Sequence, residues 1–173
     1  VAQLARHLGE GVGLTGDALA ELQVAGLMHD VGKLCVPDEI VDKPAGLTPL
    51  EFSVMERHSF ETYQILRHIP GLGLVAEWAA FHHEALNGHG YPFRCGPDRL
   101  AREARIVAVA DVFQALAQER PYRGAQRAEQ IPRFLNDFVR RGVLDRDIVA
   151  LACEDLDGSW RAATQVLPES AGE

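Results

Sequence analysis

Nowhere in the 173 residues does an apolar run approach the roughly 20 needed to cross a bilayer, so no membrane insertion by this chain is expected. The opening VAQLARHLGE lacks the charged-then-apolar layout of a secretion signal. Basic residues are in short supply, with 17 Lys and Arg against 25 Asp and Glu and a formal charge of -8. A broad basic surface for DNA, RNA or anionic membrane is thereby excluded, and an anionic substrate would have to be met locally, by metals or a few well-placed cations. Cysteine is scarce too. Cys35, Cys95 and Cys153 lie far apart and form no C-x-x-C, which excludes a disulfide framework or zinc ribbon and fits a reducing cytoplasm. Clean strand alternation and internal repeats are both missing, and an all-α fold is the expected class.

What is present suits one domain, since 173 residues that are 47% hydrophobic can bury one sizeable core. Helical spacing predicts helices over 1–8 and 17–30, with the Pro- and Gly-bearing stretch 31–47 between them and the next helix as loop. Thr48 as N-cap, Pro49 at the first helical position and Glu51 three after the cap form a capping-box signature for a helix running to about Ile69. Further helices are expected over about 74–86 and 103–118, separated by the loop NGHGYPFRCGPDRL, with one or two more across 127–157. The last run, SWRAATQVLPESAGE, is expected to be frayed.

Chemistry is suggested by polar groups on apolar faces. His29 and Asp30 end a hydrophobic helix, where an unpartnered buried carboxylate would be unstable. His58 sits with Val54, Met55 and Thr62, His82 with Val75, Trp78 and Ala79, and His83 beside Ala79 and Ala80. Asp111 is flanked at helical spacing by Val107, Ala108 and Ala115. Each has an ordinary alternative. A lone buried His is commonly a hydrogen-bonded core residue, adjacent histidines on a helix point about 100° apart, and Asp111 could pair with an arginine such as Arg105. One metal site satisfies all six at once, whereas the alternatives need six separate explanations. His7, His68 and His89 sit on polar or loop positions and are expected at the surface.

The runs LMHDVGKLCVPDEIVDKPAGLT, MERH, HHEALNGHGYP and VADVFQALAQERPYR resemble, in order and spacing, the HD-GYP family, bacterial phosphodiesterases for cyclic di-GMP within the HD phosphohydrolase superfamily. The resemblance implies a compact HD-type helical core over residues 1–125, with 126–173 as a C-terminal helical extension packed on it. It makes His29 and Asp30 the paired ligands, with Asp30 the bridge between two metals, and His58, His82, His83 and Asp111 the rest of the shell. It gives Asp30 and Lys33 catalytic roles, Lys33 also meeting substrate phosphate, and assigns Gly90, Tyr91, Pro92, Arg120 and Arg123 to substrate binding. On the residues alone, RPYR also reads as favourable cations at a helix C-terminus before a proline turn.

The activity implied is hydrolysis of cyclic di-GMP to linear pGpG and/or GMP through a metal-bridged hydroxide. Mixed imidazole and carboxylate ligands suit two divalent transition metal ions, iron or manganese first and nickel or zinc next. A GGDEF-type protein partner and a homodimer are further expectations. Gln114 stands where the family usually has Asp, Asn87 and His89 depart from its loop pattern, and the family's first-helix His would fall before Val1, so that the ligand helix is expected to be truncated. These departures motivate the alternative of a catalytically weak or inactive module that binds a cyclic dinucleotide or a partner protein. Another phosphoester substrate is a third reading, which the GYP loop disfavours.

Overall fold

The computed structural model describes residues 1–118 and 126–164, and these are helical, with no strand among them. The helices are α1 (Ala2–Gly11), α2 (Gly16–Met28), α3 (Asp38–Val41), α4 (Pro49–Leu66), α5 (Gly73–Ala80), α6 (Arg102–Ala117), α7 (Ile131–Arg140), α8 (Arg146–Glu154) and α9 (Leu156–Thr164). The central element is α6. Ala104, Ile106, Val107, Ala108, Val109, Ala110, Phe113, Leu116 and Ala117 are all buried, so this helix has almost no solvent face. It packs against α1, α2, α5, α7, α8 and α9. A helix apolar on nearly every side is stable only when neighbours cover it, and each of its large side chains contributes roughly 1.5–3 kcal/mol on burial.

α4 begins as its sequence predicts. The Thr48 hydroxyl accepts from the Glu51 amide at 3.3 Å, the Glu51 carboxylate accepts from the Thr48 amide at 2.7 Å, and Pro49 follows the cap. Three regions differ from expectation. Within 31–47 the chain forms a 3-10 turn at Val31–Cys35 and the short α3 rather than plain loop. The helix expected over 74–86 ends at Ala80 and tightens into a 3-10 turn at Phe81–His83, which changes the relative direction of His82 and His83. Ser159 to Thr164, expected to fray, lie in α9, where Ser159 and Ala163 are buried and the helix packs on α1 and α6. Residues 165–173 lie outside the described residues.

The loop after His83 is tied to the C-terminal helices. Leu86 N and Asn87 N donate to Val143 O and Gly142 O, and the Asn87 side chain donates to Arg141 O at 2.9 Å. Gln114, the departure on α6, donates its side-chain amide to Ala163 O at 3.2 Å and so ties α6 to α9.

Candidate metal centre

The six predicted ligands converge from the end of α2, the middle of α4, the turn after α5 and the middle of α6. The Asp30 carboxylate stands between two imidazoles, Oδ2 at 3.2 Å from His29 Nε2 and Oδ1 at 3.4 Å from His58 Nε2. Asp111 Oδ1 lies 3.7 Å from His29 Nε2. The ligand atoms of His58, His82 and His83 fall within 4.8 Å of one another, as do those of His29, Asp30 and His82. Arg105, the arginine named as an alternative partner for Asp111, instead meets Asp145 at 3.2 Å and the carbonyls of Leu100 and Pro97.

Three rings are aimed in the same way. Nδ1 of His29, His58 and His82 lies 2.9, 2.7 and 2.6 Å from the carbonyl oxygen of Gly26, Met55 and Ala79, each three residues earlier. A carbonyl can only accept, so Nδ1 carries the proton, and at His58 and His82 Nε2 is left to present its lone pair to the centre, the tautomer a metal requires. His82 Nε2 is fully buried and has no hydrogen-bond partner among the described residues. An orphaned buried nitrogen is costly unless something occupies the space before it. With imidazoles and carboxylates as the surrounding donors, divalent transition metal ions fit that space.

The electrostatics agree. Burial, reinforced by His83 and His29, pushes His82 well below the usual imidazole value. Burial and the neighbouring His58 push His83 down to about 3, and burial lowers His58 as well. These rings are therefore neutral, the form that binds metal. For His29, burial disfavours the charged form, but the hydrogen bond and charge of Asp30 and the charge of Asp111 outweigh it and raise the ring. Burial works against the Asp30 carboxylate, yet its contacts with His29 and Lys33 hold it far below the usual range. Lys33 Nζ reaches Asp30 Oδ2 at 2.7 Å.

Above the centre opens a cavity of about 810 Å³, within the range of small-molecule sites. Asp30, Lys33, His58, His83, Tyr91 and Asp111 line it, together with Phe52 and Met55 of α4 and Phe134, Asp137 and Phe138 of α7. Burial, and then the charges of Glu56, Asp111 and Asp30, push the Tyr91 phenol up, so it stays protonated and able to donate. Its ring lies 4.7 Å from that of His83. Gly90 is buried beneath this loop, and Pro92 faces a separate groove of about 310 Å³ with Ser53, Arg57 and Phe60. Arg120 and Arg123 lie outside the described residues. His68 and His89 are exposed as expected, whereas His7 is half-buried and meets Asp155 at 3.2 Å.

Two supporting side chains escape sequence reasoning. The Thr62 hydroxyl accepts from Gly32 N at 3.0 Å and donates to His29 O at 3.1 Å, clamping the turn that carries Asp30 onto α4. The buried Glu84 carboxylate accepts from the amides of Phe93 and Cys95 at 2.6 and 2.8 Å and so shapes the loop bearing Tyr91. The available signal is their position: Thr62 follows His58 by one helical turn, and Glu84 follows the His pair directly. Glu84→Gln is expected to lose one of the two charge-assisted bonds and cost about 1.5–3 kcal/mol. Amide hydrogen exchange should then accelerate at Phe93 or Cys95, and unchanged protection at both would show that the loop does not depend on this carboxylate.

The chain belongs to the HD domain family, whose pattern matches residues 1–148. It is similar to the 3′3′-cGAMP-specific phosphodiesterase 1 of Vibrio cholerae serotype O1, 40% identical over 86% of this chain and 34% of that protein. It is similar also to a cyclic di-GMP phosphodiesterase of Thermotoga maritima, 38% identical over 80% of this chain and 38% of the relative. A third relative is the cyclic di-GMP phosphodiesterase response regulator RpfG of Xanthomonas campestris pv. campestris, 36% identical over 83% of this chain and 38% of that protein. These names bear out the HD-GYP resemblance. The chain spans about a third of the length of these relatives. Among the described residues no helix is long and apolar enough to cross a membrane.

Proposed function

We propose that the chain is a metal-dependent phosphodiesterase unit that opens cyclic di-GMP to linear pGpG and/or GMP. The observation that carries this reading is the pair of donor clusters that share His82, His58–His82–His83 and His29–Asp30–His82, beside a cavity lined by Asp30, His58, His83 and Asp111 together with Lys33 and Tyr91. His29, Asp30, His58, His82, His83 and Asp111 would hold two divalent ions, iron or manganese by family resemblance, with nickel and zinc the other metals compatible with these donors. Such ions, when bound, supply a nucleophile stronger than neutral water and draw charge from the phosphoryl oxygens.

The chain's own residues do the rest. Lys33 offers an ammonium beside Asp30, where negative charge grows on the scissile phosphate. Tyr91, protonated and set against His83, donates toward the phosphate or its leaving oxygen. Arg120 and Arg123 would grip phosphate oxygens in the two-pronged geometry that lysine cannot copy. The helices after residue 126 act as a buttress rather than a separate unit, through the Asn87 and Gln114 contacts with α7–α9. A cytoplasmic location and a GGDEF-type protein partner fit the same reading. Incubation of the chain with cyclic di-GMP and manganese or iron under reducing conditions is expected to yield pGpG or GMP. Binding of the intact cyclic dinucleotide with neither product would favour the non-catalytic module.

A further inference from the structure

One wall of the central cavity comes from outside the expected 1–125 core. Phe134, Asp137 and Phe138 of α7 line it, at positions i, i+3 and i+4 of one helix and therefore on one face. An acidic side chain there needs an explanation. Asp30 and Asp111 are accounted for by the imidazoles and by the cations they would share, but Asp137 belongs to neither cluster. Facing the phosphates of an anionic substrate it would repel them, so its favourable counterpart is a donor-rich edge of the ligand. Its partner among the described residues, Arg140 at 3.0 Å, is a surface pair whose side chains are 54% and 69% exposed, a geometry that holds a carboxylate weakly. Phe134 keeps 39% of its surface exposed although it lines a cavity, as an aromatic ring does where a planar ligand group is to be covered.

We propose that this α7 face is the purine-selecting wall of the site, Phe134 and Phe138 stacking one base and the Asp137 carboxylate accepting from the N1–H and 2-amino group of guanine. The inference rests on the cyclic dinucleotide reading above. Guanine presents two adjacent donors to the two carboxylate oxygens, whereas adenine presents one donor beside an acceptor that repels them. The wall therefore selects a guanine-containing cyclic dinucleotide over cyclic di-AMP.

Asp137→Asn is close in shape and sits on a half-exposed helix position, so folding is not at stake. With the manganese-loaded chain, the variant is expected to raise KM for cyclic di-GMP about 10-fold or more with a much smaller change in kcat, and to lower the cyclic di-GMP to cyclic di-AMP ratio of kcat/KM by the same factor. Arg140→Gln breaks the same ion pair without touching the carboxylate and should leave that ratio unchanged. Phe134→Ala should raise KM for both dinucleotides, because stacking does not distinguish the two purines. An unchanged guanine-to-adenine ratio in an active Asp137→Asn chain, or an equal change in Arg140→Gln, overturns the inference alone. Failure of the unaltered chain to turn over any cyclic dinucleotide overturns the functional reading and this inference with it.

Discussion

Asp30→Ala is expected to remove bound metal and to lower cyclic di-GMP hydrolysis on the order of 10³-fold or more. The reason is position. Its two oxygens reach different imidazoles, His29 through Oδ2 and His58 through Oδ1, and Oδ2 also meets Lys33. Residues that only orient a metal ligand cost about 10–100-fold when removed, and Asp30 touches three members of the centre directly. Without its charge, burial dominates at His29 and Lys33 loses its partner. Elemental analysis of protein purified without oxygen, paired with product analysis, checks both halves. Full metal content and full turnover in the variant would sink the proposed centre.

Gly32→Ala is expected to cost about 3 kcal/mol or more, lowering Tm by roughly 6–12 °C, and to weaken metal binding in the protein that still folds. A methyl group at Gly32 would overlap the His58 carbonyl oxygen and lie 2.5 Å from Thr62 N and 2.8 Å from Thr62 Oγ1. Two of these neighbours are backbone atoms inside α4 and cannot rotate aside. The turn carrying Asp30 and Lys33 would have to lift away from the helix carrying His58, breaking the Gly32–Thr62 and Thr62–His29 hydrogen bonds. Gly73→Ala is the control, because nothing lies within 4 Å of its added carbon and it opens α5. It should leave Tm unchanged or slightly raised. Equal thermal unfolding of the two variants would show that the close approach at Gly32 is not structural.

The sequence makes some of this arrangement legible and hides the rest for identifiable reasons. The start of α4 is readable because a capping box is local, all its partners lying within four residues. The inward faces of His58, His82 and Asp111 are readable because a polar residue among apolar ones at helical spacing has few other places to go. Periodicity gives direction but not partner. It places Thr62 inside without showing that its hydroxyl serves a glycine amide 30 residues away, and it says nothing of Glu84 holding amides 9 and 11 residues on. The early end of α5 is hidden because Phe81, His82 and His83 carry no helix breaker, and the 3-10 turn is set by packing against α6. α9 is hidden because its anchor, the Gln114 amide on Ala163 O, spans 49 residues. The contribution of α7 to the cavity is likewise long-range, which is why a boundary near residue 125 looks natural in the sequence alone.

The atoms that aim His29, His58 and His82 are peptide carbonyls one turn upstream, not side chains. Every amino acid brings the same oxygen, so no point substitution at Gly26, Met55 or Ala79 deletes it. Mutational drift around the centre can change its size and polarity while the rings keep pointing where they point. To turn one of them away, evolution or an engineer must bend the helix itself.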